Sequence, residues 1–253
     1  MAPTAQLHYH ADHHPFQQHA FPLTSMTTKT VLDRGRQAAP QLYELLRQKI
    51  ISLELTPGTV LSRADLAVAF DVSQTPVREA LLKLAEEKLV DVFPQASTRV
   101  SLIDAAFARE THFLRRALEL EIVRELALSH EPQLISSLKA LMLEQKLARN
   151  NGNFTDFTDA DMGFHRMLYQ AVHKESLWHL VHSRSGHIDR LRRLHLPVVG
   201  KQDRILGDHD RVLDAIERHD PDGAQQALRD HLSGTLEYMG QIQADHPQLF
   251  KAE

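Results

Sequence analysis

The segment VSQTPVREAL, residues 72–81, decides the fold of the N-terminal part of the chain. Ser73 is a preferred residue for the cap of a helix, and Pro76 is tolerated in the first helical turn. Val77 and the apolar residues that follow at helical spacing give this helix a buried face. The segment therefore predicts a helix that begins at Ser73, with a polar first turn and an apolar side for packing.

The residues on both sides of this helix complete a small motif. Apolar residues at helical spacing predict a first helix near 42–53, and the capping box from Ser62 to Asp65 predicts a short second helix. After the third helix, residues 89–93 and 98–101 alternate between apolar and polar like two short strands. Three helices followed by a hairpin predict a winged helix-turn-helix.

The first turn of the third helix carries side chains suited to DNA, because the start of a helix in the major groove meets base edges and phosphates. Ser73 and Thr75 can donate hydrogen bonds to phosphates or bases. Gln74 matches adenine, and Arg78 matches guanine or a phosphate. Arg99 in the hairpin can reach the minor groove or the backbone. The alternative is an ordinary three-helix packing unit in which Arg78 is a solvated surface charge.

Composition limits the classes of protein to which the chain can belong. Its 253 residues are 42% apolar and 25% charged, which is typical of a globular protein with a core. No run of apolar residues is long enough to span a membrane, and the N-terminus lacks the pattern of a signal peptide. The absence of cysteine excludes disulfides, thiolate zinc sites, iron–sulfur clusters and cysteine nucleophiles. We therefore expect a cytoplasmic protein without a membrane partner.

The distribution of charge along the chain is compatible with a DNA-binding function. A net charge of −4 differs from the basic balance of many nucleic-acid binders. Residues 36–101, however, carry eight basic and eight acidic side chains, whereas residues 102–253 carry 19 and 23. The negative balance therefore lies in the C-terminal part, and the winged motif is neutral.

The chain divides into three predicted segments. Residues 1–35 have no periodicity and are rich in His, Pro and Gln, which predicts a disordered tail. The alternative for this tail is a metal-gathering tract formed by His8, His10, His13 and His14. The winged helix-turn-helix occupies 36–101. Residues 102–245 contain only helical patterns, whose breaks predict an antiparallel bundle of about six helices and a mainly α fold. The predicted helices are 103–129, 132–150, 154–173, 176–195, 201–219 and 221–243.

Four polar residues of the predicted bundle form a candidate metal site. Asp161 and His165 are spaced i, i+4 and share one helical face, so both can bind one ion. His209 and His231 lie on two later helices, and three imidazoles with one carboxylate suit zinc first, with nickel or manganese as alternatives. Twelve of the 17 histidines lie beyond residue 100. The alternative is therefore that some of them share a face by accident.

A longer pattern surrounds the third helix. It consists of Pro57-Gly58-Thr59-Val60-Leu61, Leu66-Ala67, Val72 to Leu81 and Leu84. This string resembles the GntR superfamily of bacterial transcription regulators. The resemblance implies DNA contacts from residues 73–75, Arg78 and the wing. Three departures from the family pattern put the operator preference in question. Gln74 stands where the family often has Arg, and Ala96-Ser97 stands where it usually has Gly. Ala64-Asp65 stands where the family often has Arg-Glu, while Arg63, a further candidate DNA contact, lies one position earlier.

The bundle has its own family pattern. It consists of Asp161/Phe164/His165, His209/Val212/Leu213/Ala215/Ile216, His231/Leu232 and Arg115-Arg116-Ala117-Leu118-Glu119. These motifs resemble the FCD ligand-sensing domain of FadR-like GntR regulators, and six helices would suit the VanR-like subgroup. The resemblance implies that Asp161, His165, His209 and His231 are the metal ligands. It also implies that Arg115 holds a carboxylate effector, the alternative being a solvated charge paired with Glu119.

Together these features predict a homodimeric regulator that binds a palindromic operator in double-stranded DNA and responds to a small organic or sugar acid. Repression is the commoner role in the family. One alternative is a hydrolase-type metalloenzyme that uses the Asp/His₃ site to activate water. The other is a regulator whose metal is purely structural.

Overall fold

The computed structural model describes residues 32–93 and 97–252. The predicted tail lies almost entirely outside the described residues, as do all four histidines of the alternative metal-gathering tract. Ala96, one of the two residues that replace the usual wing glycine, also lies outside them.

The N-terminal elements form the predicted winged helix-turn-helix. They are α1 (Ala38–Ile51), β1 (Val60–Leu61), α2 (Arg63–Phe70), α3 (Gln74–Glu86), β2 (Val90–Val92) and β3 (Thr98–Val100). The strands are antiparallel in the order β1-β3-β2, with Val60 opposite Arg99 and Val90 opposite Val100. Strand β1 was not predicted, because two residues are too short to show a period of two. It pairs with β3 and so fastens the hairpin to the turn before α2.

The helix caps show how far the capping predictions hold. The hydroxyl of Ser62 accepts a hydrogen bond from the amide of Asp65 at 3.3 Å, which confirms that half of the capping box. Ser73 is the N-cap residue of α3, but its side chain makes no capping hydrogen bond. Its hydroxyl can therefore form a hydrogen bond with another molecule at the exposed start of the helix. On the opposite side, Leu42, Leu46 and Val77 are fully buried in the core of this domain.

The C-terminal elements form a helical bundle. They are α4 (Ala105–Leu128), α5 (Pro132–Asn150), α6 (Phe154–Ala171), α7 (Glu175–Arg184), α8 (Gly186–His195), α9 (Lys201–Glu217), α10 (Pro221–Glu237) and α11 (Met239–Asp245). Helix α10 packs against α4 and α9, and α5 packs against α6. Ile122, Phe164, Val212 and Leu228 are buried together in the main core. The mainly α fold is confirmed. No helix among the described residues has the length and apolar character needed to cross a membrane.

Two of the six predicted bundle helices are each divided in the structure. The predicted helix 176–195 breaks at Ser185 into α7 and α8, and the predicted helix 221–243 ends at Glu237 before α11. At the first break, Gly186 packs so closely on Leu89 of the winged domain that a Cβ atom would collide with that side chain. This long-range contact is invisible in the helical period of the sequence. The described bundle thus has eight segments, and the six-helix argument for a VanR-like subgroup loses its support.

Candidate metal centre and nucleic-acid interface

The four predicted metal ligands converge in the bundle. Asp161 and His165 lie one turn apart on α6, His209 lies on α9, and His231 lies on α10. One ligand atom from each residue can be chosen so that all four lie within 4.8 Å of one another. The helices that carry them belong to one packed core, so the cluster is fixed by the fold rather than by a mobile loop.

A buried carboxylate orients the first of these imidazoles. His165 Nδ1 lies 2.9 Å from Glu119 Oε2, close but without hydrogen-bond alignment. The other carboxylate oxygen of Glu119 accepts a hydrogen bond from Arg115 Nε at 2.6 Å. With Nδ1 directed at Glu119, the opposite nitrogen, Nε2, faces His231 at 3.0 Å. A carboxylate beside one imidazole nitrogen favours the other nitrogen as the metal ligand.

Two of the remaining ligands are hydrogen-bonded to one amide, and the third has a carboxylate nearby without a hydrogen bond to it. Gln145 Oε1 lies 3.0 Å from His209 Nδ1, and the amide nitrogen of Gln145 donates to Asp161 Oδ1 at 3.2 Å. His231 Nδ1 lies 3.7 Å from Asp208 Oδ2. His209 Nε2 lies 3.5 Å from Asp161 Oδ1 and is buried without a hydrogen-bond partner in the described chain.

These residues fit a divalent cation. Ligand atoms that share one zinc ion at about 2.0–2.1 Å lie roughly 3.0–3.5 Å apart, and the contacts of His165 with His231 and of His209 with Asp161 fall in that range. Burial holds the pKa of His165, His209 and His231 below the ordinary value, which favours the neutral form that binds metal. Burial raises the pKa of Asp161, but the basic groups around it, the three histidines together with the guanidinium of Arg115, outweigh burial and lower the net pKa. The carboxylate is therefore held ionised.

Arg115, the predicted effector contact, lies beside this cluster on α4. It is buried rather than solvated and is paired with Glu119. Its Nη1 nitrogen is buried and has no hydrogen-bond partner among the described residues. Arg115 thus retains a spare hydrogen-bond donor. It does not line the large cavity that the structure has between its two domains.

That cavity, of about 770 Å³, lies between the two domains and reaches the metal cluster. Asp161 and His231 form part of its wall. The bundle also contributes cationic side chains to it, namely Arg192, Arg193 and Lys201. The winged domain contributes Tyr43, Arg47, Lys83 and Glu87 among others. Both domains therefore form the wall of the cavity.

The predicted DNA contacts lie on the exposed side of the winged domain. Arg63, Gln74 and Arg78 line one groove of about 620 Å³, whose other side is formed by residues of the hairpin. Ser73 and Thr75 are exposed at the start of α3, outside the lining of this groove. Arg99 is exposed on β3, where its Nε donates to Ser97 Oγ at 3.3 Å. The structure thus brings three of the six candidates around one groove and places the others at the same end of the domain.

Comparison with known proteins identifies both domains. Residues 38–100 match the model for bacterial regulatory proteins of the gntR family, and residues 110–234 match the FCD domain. The chain is 34% identical over 219 residues to an uncharacterised HTH-type transcriptional regulator in an unstable DNA locus of Streptomyces ambofaciens, which covers 87% of this chain and 92% of that protein. The chain belongs to the GntR family.

Two other similarities agree with this assignment. The GntR-family chain is 30% identical over 228 residues to the HTH-type transcriptional repressor RspR of Escherichia coli, covering 90% of this chain and 100% of RspR. The solved structure of E. coli McbR/YncC has the same fold, with a TM-score of 0.71 and 20% identity over 81% of this chain and 98% of that one. The chain is therefore a DNA-binding transcriptional regulator with an FCD domain, and the enzyme alternative is wrong.

Sequence reasoning missed the residues that support the ligands of this GntR protein. Glu119 was considered only as a partner of Arg115, and the contacts of Gln145 and Asp208 with the imidazoles were not predicted. The available signal was position: Glu119 lies between Leu118 and Ile122 on the apolar side of a predicted helix, where a charge needs a partner.

Proposed function

We propose that this GntR-family protein is a metabolite-responsive repressor whose operator affinity is controlled by a small carboxylate bound at the Asp/His₃ centre. Residues 36–101 bind DNA, and residues 102–245 bind the effector and the second protomer. The single observation that carries the proposal is the convergence of the four ligand side chains at the wall of a cavity that both domains line. The name of the E. coli relative, a repressor, supports the direction of regulation.

The proposed operator contacts follow from their position on the winged domain. Gln74 and Arg78 line the same groove at the start of α3, which suits contacts with base edges in the major groove. Arg63 at the start of α2, together with the hydroxyls of Ser73 and Thr75, suits phosphate contacts. Arg99 on the wing reaches the adjacent backbone or minor groove.

The proposed effector contacts lie beside the ligand cluster. Asp161, His165, His209 and His231 would hold a divalent ion, with zinc first and nickel or manganese as alternatives, and the ion would supply a positive charge and a coordination position for a carboxylate. Arg115, on α4 beside the cluster, has a buried Nη1 donor without a hydrogen-bond partner among the described residues. A guanidinium binds a carboxylate through more than one hydrogen bond, so Arg115 orients the effector that the metal holds. Small organic and sugar acids share this group.

The active species is proposed to be a homodimer acting in the cytoplasm on a palindromic operator. Two-fold symmetry places one copy of α3 in each half-site. The bundle offers apolar surface for a partner, because Phe113 on α4 is 75% exposed and Leu143 and Leu147 on α5 are also exposed.

Fluorescence anisotropy with full-length protein tests this function. The probe is DNA from upstream of the protein's own gene, at about 150 mM salt with excess nonspecific competitor. We expect binding that survives the competitor and that at least one small acid weakens by about tenfold or more, only in the zinc-loaded protein. Competitor-resistant binding that responds to no acid would instead favour a purely structural metal.

A further inference from the structure

A second cationic group lies close to the metal cluster on the wall of the same cavity. Lys201 is the first residue of α9, and its ammonium lies 3.0 Å from the point where a Cβ atom would stand on Gly234. Gly234 follows His231 on α10 by three residues, about 4.5 Å along the helix axis. The ammonium is therefore about one helical turn from a proposed metal ligand.

The side chain of Thr235 belongs to the same turn of α10 as Gly234. Thr235 follows His231 by four residues, so the two share one face of the helix. His231, Thr235 and Lys201 all line the cavity between the domains. A ligand held at the metal would therefore extend along this face and meet a hydroxyl and an ammonium one turn further on.

Among the residues that the structure describes, none is a dedicated partner for the charge of Lys201. The three carboxylates that act on it are each closer to another cation or imidazole: Asp161 to His209, Asp208 to Arg211, and Glu237 to Arg204. The guanidinium of Arg204 also approaches the Gly234 position, with its central carbon 3.8 Å away, so two positive groups meet there. Burial, with Arg204 adding to it, lowers the pKa of Lys201. A bound anion would oppose the effects of burial and of Arg204, because it would stabilise the charged ammonium and so raise the pKa of Lys201.

We propose that Lys201 and Thr235 form a second anion subsite, and that the effector is a short dicarboxylate with one carboxylate at the metal and the other at Lys201. The inference rests on the proposed function for the position of the first carboxylate. It adds that two charges, about one helical turn apart, distinguish the effector from a monocarboxylate of the same length. A side chain at Gly234 would shift the ammonium by a few tenths of an ångström, because its Cβ atom would stand only 3.0 Å from Nζ.

Isothermal titration of the full-length, zinc-loaded protein with matched acids tests the subsite. The probes are succinate against butyrate and glutarate against valerate, since each pair has one chain length and differs by one carboxylate. We expect one diacid to bind about tenfold or more tightly than its monoacid, because a charge-assisted hydrogen bond in a half-buried site is worth about that factor.

Variants separate the subsite from the metal centre. Lys201→Gln should remove the preference for the diacid and leave zinc content and monoacid affinity unchanged. Gly234→Ala should weaken the diacid in the same direction, and Lys139→Gln, the same substitution at an exposed position outside the cavity, should change nothing.

The outcomes distinguish the two proposals. Equal affinities within both pairs, or a Lys201→Gln variant that loses both kinds of acid alike, would overturn the second subsite and leave the metal-bound carboxylate standing. Absence of binding by all four acids to zinc-loaded protein would overturn the subsite, while the operator response to other acids would still test the proposed function by itself.

Discussion

Arg47 of the winged domain lies 3.9 Å from Asp189 of the bundle, measured from Nη2 to Oδ2, and both side chains are almost completely buried. The same guanidinium donates through Nε to Glu87 at 2.9 Å and through Nη2 to the carbonyl of His182 at 2.9 Å. Arg47 and Asp189 also line the cavity that reaches the metal cluster. A molecule bound in that cavity can therefore contact the charged pair that joins the two domains.

Removing the guanidinium should weaken the joint between the domains. Arg47→Met leaves Glu87 buried without its cation and leaves Asp189 with Arg192 alone, so we expect the free energy of unfolding to fall by about 3 kcal/mol in urea denaturation. Arg184→Met removes the partly exposed partner of the exposed Glu110 and should cost less than about 1 kcal/mol. Equal losses in the two variants would contradict a structural role for the buried contact.

Arg78 should carry much of the operator specificity. Arg78→Ala should abolish competitor-resistant binding, because a bidentate contact to a base is worth about 1–3 kcal/mol at each half-site. Arg218→Ala, an exposed arginine at the end of α9, serves as the control for lost charge. Anisotropy with and without competitor DNA measures both variants. Wild-type operator affinity in Arg78→Ala would show that α3 does not read this DNA through Arg78.

His209 should be required for metal and for the effector response but not for DNA binding itself. His209→Ala removes a ligand whose Nε2 is buried without a partner in the described structure. We expect lower zinc content by elemental analysis and loss of the acid response, with operator affinity of the metal-free protein preserved. His179→Ala, an exposed histidine outside the cluster, should keep its metal. Full zinc occupancy in His209→Ala would remove His209 from the ligand set.

Gln145 should act as a positioning residue for two ligands. Its amide contacts both His209 and Asp161, so Gln145→Leu removes both contacts while keeping a similar volume. We expect zinc affinity to fall by about 10–100-fold in competition with a chelator. Gln145→Glu keeps an acceptor for His209 and should retain more affinity than Gln145→Leu. An unchanged zinc affinity in the leucine variant would mean that packing alone orients the imidazole.

The sequence predicted those features that depend on local pattern. The start of α3 directly after Ser73 followed from periodicity and from the preference for Ser at the N-cap position, although the Ser73 side chain makes no capping hydrogen bond. The pair Asp161 and His165 followed from helical spacing. The prediction that His209 and His231 join that pair in one metal site depended on a family resemblance, because spacing within one helix does not show which helices pack together. The structure places the four together.

The missed features depend on contacts between distant parts of the chain. The break at Ser185 accompanies the packing of Gly186 on Leu89, almost one hundred residues earlier. Lys201 has no motif, and its relation to His231 arises only because α9 packs against α10. Such contacts leave no periodic trace in one sequence, and so no pattern of spacing could reveal them.

The most direct test of the account is the reciprocity between operator and acid. If an acid at the metal centre weakens operator binding, the operator must weaken acid binding by the same factor. We would titrate zinc-loaded, full-length protein with the most active acid, with and without saturating operator DNA. The account predicts that the ratio of the two acid dissociation constants equals the ratio of the operator dissociation constants measured with saturating acid and without acid. Acid affinity that is independent of the operator would contradict it, because the metal centre would then be uncoupled from DNA binding.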